Sequence, residues 1–298
     1  MGLFLIILAA GDNKRLNSDT PKPYQEVNNT TLLEHSLNAF NKFPEIKKKI
    51  VVYNKKHSKF IKILQLKKIY KIIGGKTRQE STYKALIKCK KMNCKKVLIH
   101  DSARPAPSKE LINEVINGLK KNDAVVPVIK INDATKRIKK NLIFKNIERE
   151  TLRCSQTPQG FVFKKIYTKH KKYKGKFFDD DSALFVNDKE KILTVRGDKK
   201  NLKITTMDDL YIFKSLKKGK TSYGIGFDIH RLIKKKKLYL GGVKIPFLFG
   251  LDGHSDGDPV LHALIDSLLG ACGLGDIGKM FSDKNKKFKN IKSTILLK

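Results

Sequence analysis

Two groups of residues in this sequence have the types and spacing for chemistry. The first follows an apolar run at 3–8: Ala9, Ala10 and Gly11, then Lys14, Arg15 and, a little further on, Lys22. Small side chains after a buried strand let backbone N–H groups approach a phosphate, and the loop at the carboxyl end of such a strand is where open α/β sheets take ligands. Lys14, Arg15 and Lys22 would add cationic donors for a polyphosphate; the same stretch also reads as an ordinary tight turn. The second group is Asp228, His230 and His262. Residues 226–230 read as a strand, which puts the Asp228 and His230 side chains on one face. His262 lies on a helix that Asp258 caps and Pro259 begins. One carboxylate and two imidazoles leave a position open, the donor set of a catalytic rather than a structural zinc. Either histidine alone reads as a surface residue.

The elements that must hold these groups are legible from periodicity. Short β-branched runs alternate with amphipathic helical patterns over roughly the first 215 residues, the signature of an α/β fold with a mostly parallel sheet covered by helices. Strands are expected at 3–8, 49–53, 70–73, 96–100, 124–128 and 192–195, and helices at 31–40, 79–88, 109–119 and 208–215. Thr77 and Glu80 read as a capping box that starts a helix beside Gly74-Gly75. Residues 130–150 break the alternation, and Ile138, Leu142, Phe144 and Ile147 suggest a hairpin arm. The expected organisation is a first domain at 1–217, a linker at 218–221 and a second domain at 222–298. In the helix after Asp258 the expected apolar stripe is Leu261, Leu264, Leu268 and Cys272.

Composition narrows the class. Sixty-four Lys and Arg against 28 Asp and Glu give a formal charge of +36, the usual footprint of a nucleic-acid binder. Nearly all of that charge is lysine, spread along the chain, whereas arginine, better suited to bidentate phosphate and base contacts, is sparse. A solvated lysine surface is therefore expected ahead of a nucleic-acid site. No run approaches the about 20 apolar residues of a membrane span, and residues 3–8 are too short and lack the flanks of a signal peptide. Four scattered cysteines suit a reducing compartment, so a cytoplasmic location is expected.

Further blocks sharpen the first site. Leu8-Ala9-Ala10-Gly11 with Arg15 and Pro21-Lys22 is followed by Gly74-Gly75 with Arg78 and Ser81, and by the run from His100 to Pro105. Gln156-Thr157-Pro158-Gln159, Asp179-Asp180 before Ser182, and the run from Asn201 to Thr205 complete the set. Together they resemble the 2-C-methyl-D-erythritol 4-phosphate cytidylyltransferases. The resemblance implies a Rossmann-like nucleotidyltransferase sheet with a β-arm, CTP and methylerythritol phosphate as substrates, and Mg²⁺ as cofactor. It implies that Ala9, Ala10, Gly11, Gly75 and Ser81 hold the cytosine end, and that Arg15 and Lys22 hold the triphosphate. Asp101 and Arg104 would serve ribose, metal and acceptor. Arg149 and Lys203 would grip the acceptor phosphate, Arg149 from the arm of a second copy in a homodimer. This sequence has Lys76 where the family has an acidic residue, and Ala134 where it has a threonine; Thr135, beside it, is the substitute.

The second site sits among further blocks: Gly241 to Pro246, His254 to Asp258, and Leu274 to Gly278. These resemble 2-C-methyl-D-erythritol 2,4-cyclodiphosphate synthase, which folds a 2-phosphate onto a cytidine diphosphate and expels CMP with the help of zinc. By that resemblance His254 and Ser255 would contact the diphosphate, and Asp256 and Asp276 the methylerythritol part. The family's Thr-Thr-Thr-Glu segment does not occur here. The expectation is therefore a partial α+β synthase domain, inactive by itself and trimeric only if complete. Three readings stand: a bifunctional enzyme, a cytidylyltransferase with an inactive synthase fragment, which this sequence favours, and a lysine-rich nucleic-acid binder.

Overall fold

The computed structural model describes residues 2–298 except 12–19, 65, 67, 218–221, 254, 283, 284, 289, 290 and the side chain of Lys286. The chain forms two compact units, Met1–Lys218 and Gly219–Lys298. The expected linker lies outside the described residues.

In the first unit, strand Leu3–Ala9 is apolar at every position and buried throughout. It pairs in parallel with Ile46–Tyr53 on one side and Lys96–Asp101 on the other, and Ile69–Ile73 extends the parallel run. Period-two alternation divides its side chains between two cores. Leu3, Leu5, Ile7 and Ala9 pack with Leu33 and Leu37 of helix Leu32–Ala39 and Phe40 just after it, and with Ile112 and Val115 of helix Lys109–Gly118. Phe4, Ile6 and Leu8 pack with Ala85, Leu86 and Ile166 from helices Arg78–Lys91 and Phe163–Lys172. The far half of the sheet departs from the simple parallel alternation that periodicity predicts. Gln159–Val162 inserts antiparallel between Lys96–Asp101 and Ala124–Lys130, and Arg153–Ser155 and Leu193–Arg196 also pair with Ala124–Lys130. Helix Phe163–Lys172 is likewise not among the expected elements: five of its ten residues, FKKIYTKHKK, are lysine, which masks the helical spacing of its buried Phe163, Ile166 and His170. One of its lysines, Lys169, is buried by ion pairs to Asp188 at 2.7 Å and Glu190 at 2.8 Å.

Helix starts follow their caps. Thr31 and Glu34 form a full capping box, with Glu34 N donating to Thr31 Oγ1 at 3.2 Å and Thr31 N to Glu34 Oε2 at 2.9 Å. The box expected at Thr77 is half made. Glu80 N donates to Thr77 Oγ1 at 3.1 Å, but the Glu80 carboxylate accepts from Lys76 N at 2.8 Å instead. The arm is a hairpin of Thr135–Lys139 and Leu142–Ile147, turning at Lys140 and Asn141 with φ of 46° and 64°. Its residues Ile138, Leu142, Ile143 and Phe144 are exposed.

The second unit has two short antiparallel ladders, Arg231–Lys234 with Phe249–Asp252 and Leu238–Leu240 with Val243–Ile245, and one long helix, Pro259–Cys272. Residues 226–230 are not a strand. The backbone there lies against the helix rather than in a ladder: a Cβ on Gly224 would stand 1.9 Å from Ser267 O, and one on Gly226 1.6 Å from Ala263 O. The helix starts as expected, with fully buried Asp258 accepting from Val260 N and Leu261 N, both at 3.1 Å. Its buried face differs from the expected stripe. Leu261, His262, Ile265 and Leu269 point inward, whereas Leu264, Leu268 and Cys272 are exposed, because turning His262 toward Asp228 and His230 carries the i, i+4 row of Leu261 inward with it. Among the described residues no helix is long and apolar enough to cross a membrane.

Leu5 has no exposed surface and sits mid-strand, so Leu5→Ala should cost about 2–5 kcal/mol of unfolding free energy. Ile63→Ala, at a position 74% exposed, should cost almost nothing. Urea denaturation of the two variants measures both, and equal losses would refute this placement of the core.

Candidate active site and metal centre

Parallel strands release their carboxyl ends at one edge of the sheet. Ala9-Ala10-Gly11, Asn54, Gly74-Gly75 and Ser102 follow their strands there side by side. Leu8 O accepts from both Ser102 N and Ser102 Oγ, at 3.1 and 2.9 Å, while Gly74 N donates to Tyr53 O at 2.8 Å. Gly75 N donates to Ser81 Oγ at 3.0 Å. A Cβ on Gly74 would stand 2.7 Å from Ala10 Cβ and 2.8 Å from Ser81 Oγ, so glycine is what lets these three positions meet. Lys22 opens the short helix Lys22–Tyr24, half-buried, and its charge helps to hold down the acidity range of Asp209. Arg15 and Lys14 lie outside the described residues.

Beside this cradle runs a chain of charges. Arg78 places Nε and Nη2 on Asp101 Oδ1 at 3.4 and 3.3 Å, and Nη1 on Asp181 Oδ2 at 2.7 Å. His170 Nε2 meets the other Asp181 oxygen at 3.0 Å, and Lys203 Nζ meets Asp101 Oδ2 at 2.9 Å. Burial pushes the Asp101 carboxyl up, but Arg78 and Lys203 outweigh it and hold it well below the usual carboxylate range. Asp181 is lowered likewise, against its burial, by Arg78 and His170. Arg104 donates Nη1 to Asn201 O at 2.8 Å and Nη2 to Ser155 O at 3.3 Å. Thr157 Oγ1 accepts from Asp101 N at 3.1 Å and gives its one proton to His100 Nδ1 at 3.0 Å. This follows from Arg104 O, which can only accept: the neutral ring carries its proton on Nε2 and donates there at 2.9 Å, leaving Nδ1 to accept from Thr157.

The arm residues stand apart from this cluster. Arg149 Nη1 donates to Asn132 O at 2.6 Å and pairs with Glu150 at 3.5 Å, and Thr135 Oγ1 donates to Asp133 O at 3.4 Å. No described hydrogen bond or ion pair joins Arg149 or Thr135 to Asp101.

In the second unit Asp228, His230 and His262 converge, each offering a ligand atom within 4.8 Å of the others. Asp228 Oδ2 lies 2.9 Å from both His230 Nε2 and His262 Nδ1, and those two nitrogens are 3.3 Å apart. This donor set fits one divalent ion of the zinc type. A cavity of 160 Å³ adjoins it, lined in part by Ser255, Ile277, Phe281 and Phe288. Ser255 Oγ is 2.9 Å from His262 Nε2. Asp276 caps the helix Ile277–Met280 by accepting from Lys279 N at 2.9 Å, and both oxygens of Asp256 are turned to Ser293. His254 lies outside the described residues.

Residues 3–216 match the family model described as "IspD: 2-C-methyl-D-erythritol 4-phosphate cytidylyltransferase", and residues 221–298 that of the "YgbB family". The chain belongs to both families. It is 51% identical over 297 residues to the "Bifunctional enzyme IspD/IspF" of Pelagibacter ubique, covering 100% of this chain and 78% of that relative. It is also similar to the solved bifunctional IspDF of Campylobacter jejuni, at 34% identity and a TM-score of 0.63, covering 100% of this chain and 77% of the other. The cytidylyltransferase of Thermus thermophilus aligns at 28% identity and a TM-score of 0.63 over 72% of this chain and 98% of its own. These matches do not favour the nucleic-acid reading, nor the transferase carrying an inactive fragment. The expected incompleteness of the synthase part is not confirmed by them.

Within the cytidylyltransferase unit, then, the fold brings Ala9, Ala10, Gly75, Ser81, Asp101, Arg104 and Lys203 to one edge and leaves Arg149 and Thr135 on the arm. Sequence reasoning passed over His170 and Asp181 and used Arg78, Thr157 and Asn201 only as parts of motifs; all but Arg78 are buried polar residues. The signal for Asp181 was present in three consecutive acids, Asp179 to Asp181, in a chain so rich in lysine.

His100 gives a pH test of this packing. Burial pushes its imidazole from the ordinary 6.5 down to about 4. Between those values the unfolded chain binds more protons than the folded one, so this contribution is full above about pH 6.5 and is lost as pH falls to about 4. The loss amounts to about 3 kcal/mol. Urea unfolding between pH 7 and 4 should show it in the wild type and a smaller loss in His100→Gln; equal losses would remove the claim.

Proposed function

We propose that residues 1–217 transfer CMP from CTP to 2-C-methyl-D-erythritol 4-phosphate, releasing pyrophosphate, in a cytoplasmic enzyme whose residues 222–298 form the cyclodiphosphate synthase part. The observation that supports the first half is the meeting of the Ala10–Gly74–Ser81 cradle and the Arg78–Asp101–Lys203 charge chain at one sheet edge. An oxygen of the acceptor phosphate attacks the α-phosphorus, the bond to the bridging oxygen breaks, and pyrophosphate leaves with that electron pair. Both reactants are anions, so the protein's task is positioning and charge stabilisation rather than nucleophilic attack. Gly11, Gly75 and Ser81 suit the cytosine end, Arg15 and Lys22 the triphosphate, and Lys203, half-exposed beside Asp101, the acceptor phosphate. The Asp101 carboxylate, held ionised by Arg78 and Lys203, would help to hold Mg²⁺, which would supply neutralisation of the phosphate charge. Arg149 and Thr135 would act from the arm of a second copy, and the exposed Ile138, Leu142, Ile143 and Phe144 support a homodimer through that arm.

In the second part, Asp228, His230 and His262 would hold Zn²⁺, which when bound supplies Lewis-acid polarisation of a phosphate. Ser255, on the cavity wall, would contact the diphosphate, as would His254, and Asp276 the methylerythritol part.

Lys22→Ala and Lys203→Ala should each lower pyrophosphate release from CTP by about 10²–10³, the scale for losing one donor to transition-state charge. Wild-type rates in both would sink the phosphate assignment. For the metal, the purified chain should hold one divalent ion per protein by elemental analysis, and a His230→Ala/His262→Ala double variant almost none. Unchanged metal content in that variant would exclude this site.

A further inference from the structure

The two nitrogens of His262 have different jobs. Nδ1 faces Asp228 Oδ2 at 2.9 Å and His230 Nε2 at 3.3 Å, whereas Nε2 points the other way, to Ser255 Oγ and Ser293 Oγ, each at 2.9 Å. A ligating nitrogen must offer a lone pair, so in the metal-bound protein the imidazole proton belongs on Nε2 and needs an acceptor. The two hydroxyls facing it are not equivalent. Ser255 is half-buried on the cavity wall, and its oxygen accepts from Gly257 N at 3.3 Å. Ser293 has no exposed surface and is fixed twice on one carboxylate, its N–H to Asp256 Oδ2 at 3.1 Å and its O–H to Asp256 Oδ1. A hydroxyl has one proton. Since that of Ser293 goes to a carboxylate, the oxygen can only accept from His262. Asp256 is anchored in turn, with its N–H on Ile291 O at 3.1 Å.

We propose that Ser293 and Asp256 are positioning residues of the metal centre. They form a directed chain, His262 Nε2–H to Ser293 Oγ–H to the Asp256 carboxylate, that selects the tautomer and ring orientation in which Nδ1 faces the ion. The inference rests on the metal site proposed above. It gives Asp256 a task other than the substrate contact its motif suggested, since both its oxygens are engaged. It also brings residue 293, at the start of the short helix Ser293–Leu296, into the site from 31 positions beyond His262. Outer partners of ligating histidines govern metal affinity by about 10–100-fold.

The test uses the full chain and Zn²⁺ in competition with a chromophoric chelator. Ser293→Ala removes the acceptor but leaves the Ser293 N–H to Asp256, and should weaken Zn²⁺ about 10–100-fold. Ser293→Thr keeps a hydroxyl and should recover most of that loss. In the Co²⁺-substituted protein the hyperfine-shifted Nε2–H proton of His262 should exchange slowly with solvent in the wild type and fast in Ser293→Ala, a difference that loss of packing alone does not make. Wild-type Zn²⁺ affinity in Ser293→Ala, or fast exchange already in the wild type, would overturn the positioning role while the metal site stood. A wild-type chain that bound Zn²⁺ no better than the His230→Ala/His262→Ala variant would overturn both.

Discussion

Parallel pairing of the wholly apolar strand Leu3–Ala9 with both of its neighbours is the constraint on which the nucleotide site depends. A strand buried on both faces must be covered by helices on both, and the crossover connections that provide them keep the next strand parallel. Every loop after a strand then leaves from the same edge. Residues as far apart in sequence as Ala10, Gly74 and Ser102 become neighbours for no other reason. The antiparallel insertion of Gln159–Val162 adds to this edge from the opposite direction, since its chain enters there, bringing Thr157 onto the backbone of Asp101.

The charges at that edge are ordered by burial. In a chain of formal charge +36, acids are scarce, and several are spent on fixing cations or loops rather than on the surface. Asp181 and Asp101 hold the three faces of one guanidinium, which leaves Arg78 a single orientation. Asp180 accepts from Ser155, Gln159, Ser182 and Ala183 N, tying the strand end to the turn before residues 183–186. Buried ion pairs of this kind need not add stability, because desolvation offsets much of their attraction. Their effect here is geometric: removing one partner would leave an unpaired buried charge, so the arrangement resists alternatives.

The second unit achieves its order with far less apolar surface. Asp258 accepts from Gly241 N and Gly242 N at 2.9 and 2.6 Å as well as from the first turn of its helix, so one carboxylate pins a hairpin turn to a helix start. Both glycines have positive φ, 63° and 80°, which such a turn requires. With Leu261, Ile265 and Leu269 as the buried hydrophobic residues of the long helix, polar contacts carry a larger share of the specification than in the first unit.

What the sequence determined by itself is what local chemistry and periodicity can express. The apolar strands, the cap at Asp258, the hairpin arm within 130–150 and the spacing of Asp228 and His230 ahead of His262 are written in adjacent residues. So was the family, because its blocks are short and ordered. Tertiary structure decided the rest, for reasons no local window contains. The strand at 159–162 is set by a gap between two other strands, and the burial of Lys169 within helix 163–172 by its ion pairs. The inward face of helix Pro259–Cys272 is chosen by where His262 must point, which displaced the expected Leu264 and Leu268 stripe. The fork of Arg78 on two aspartates 80 positions apart, and the placing of Ser293 behind His262, depend on chain closure over long separations. Residue type gives a side chain its capacity for a bond; only the packed fold fixes its partner, because burial removes the water that would otherwise compete.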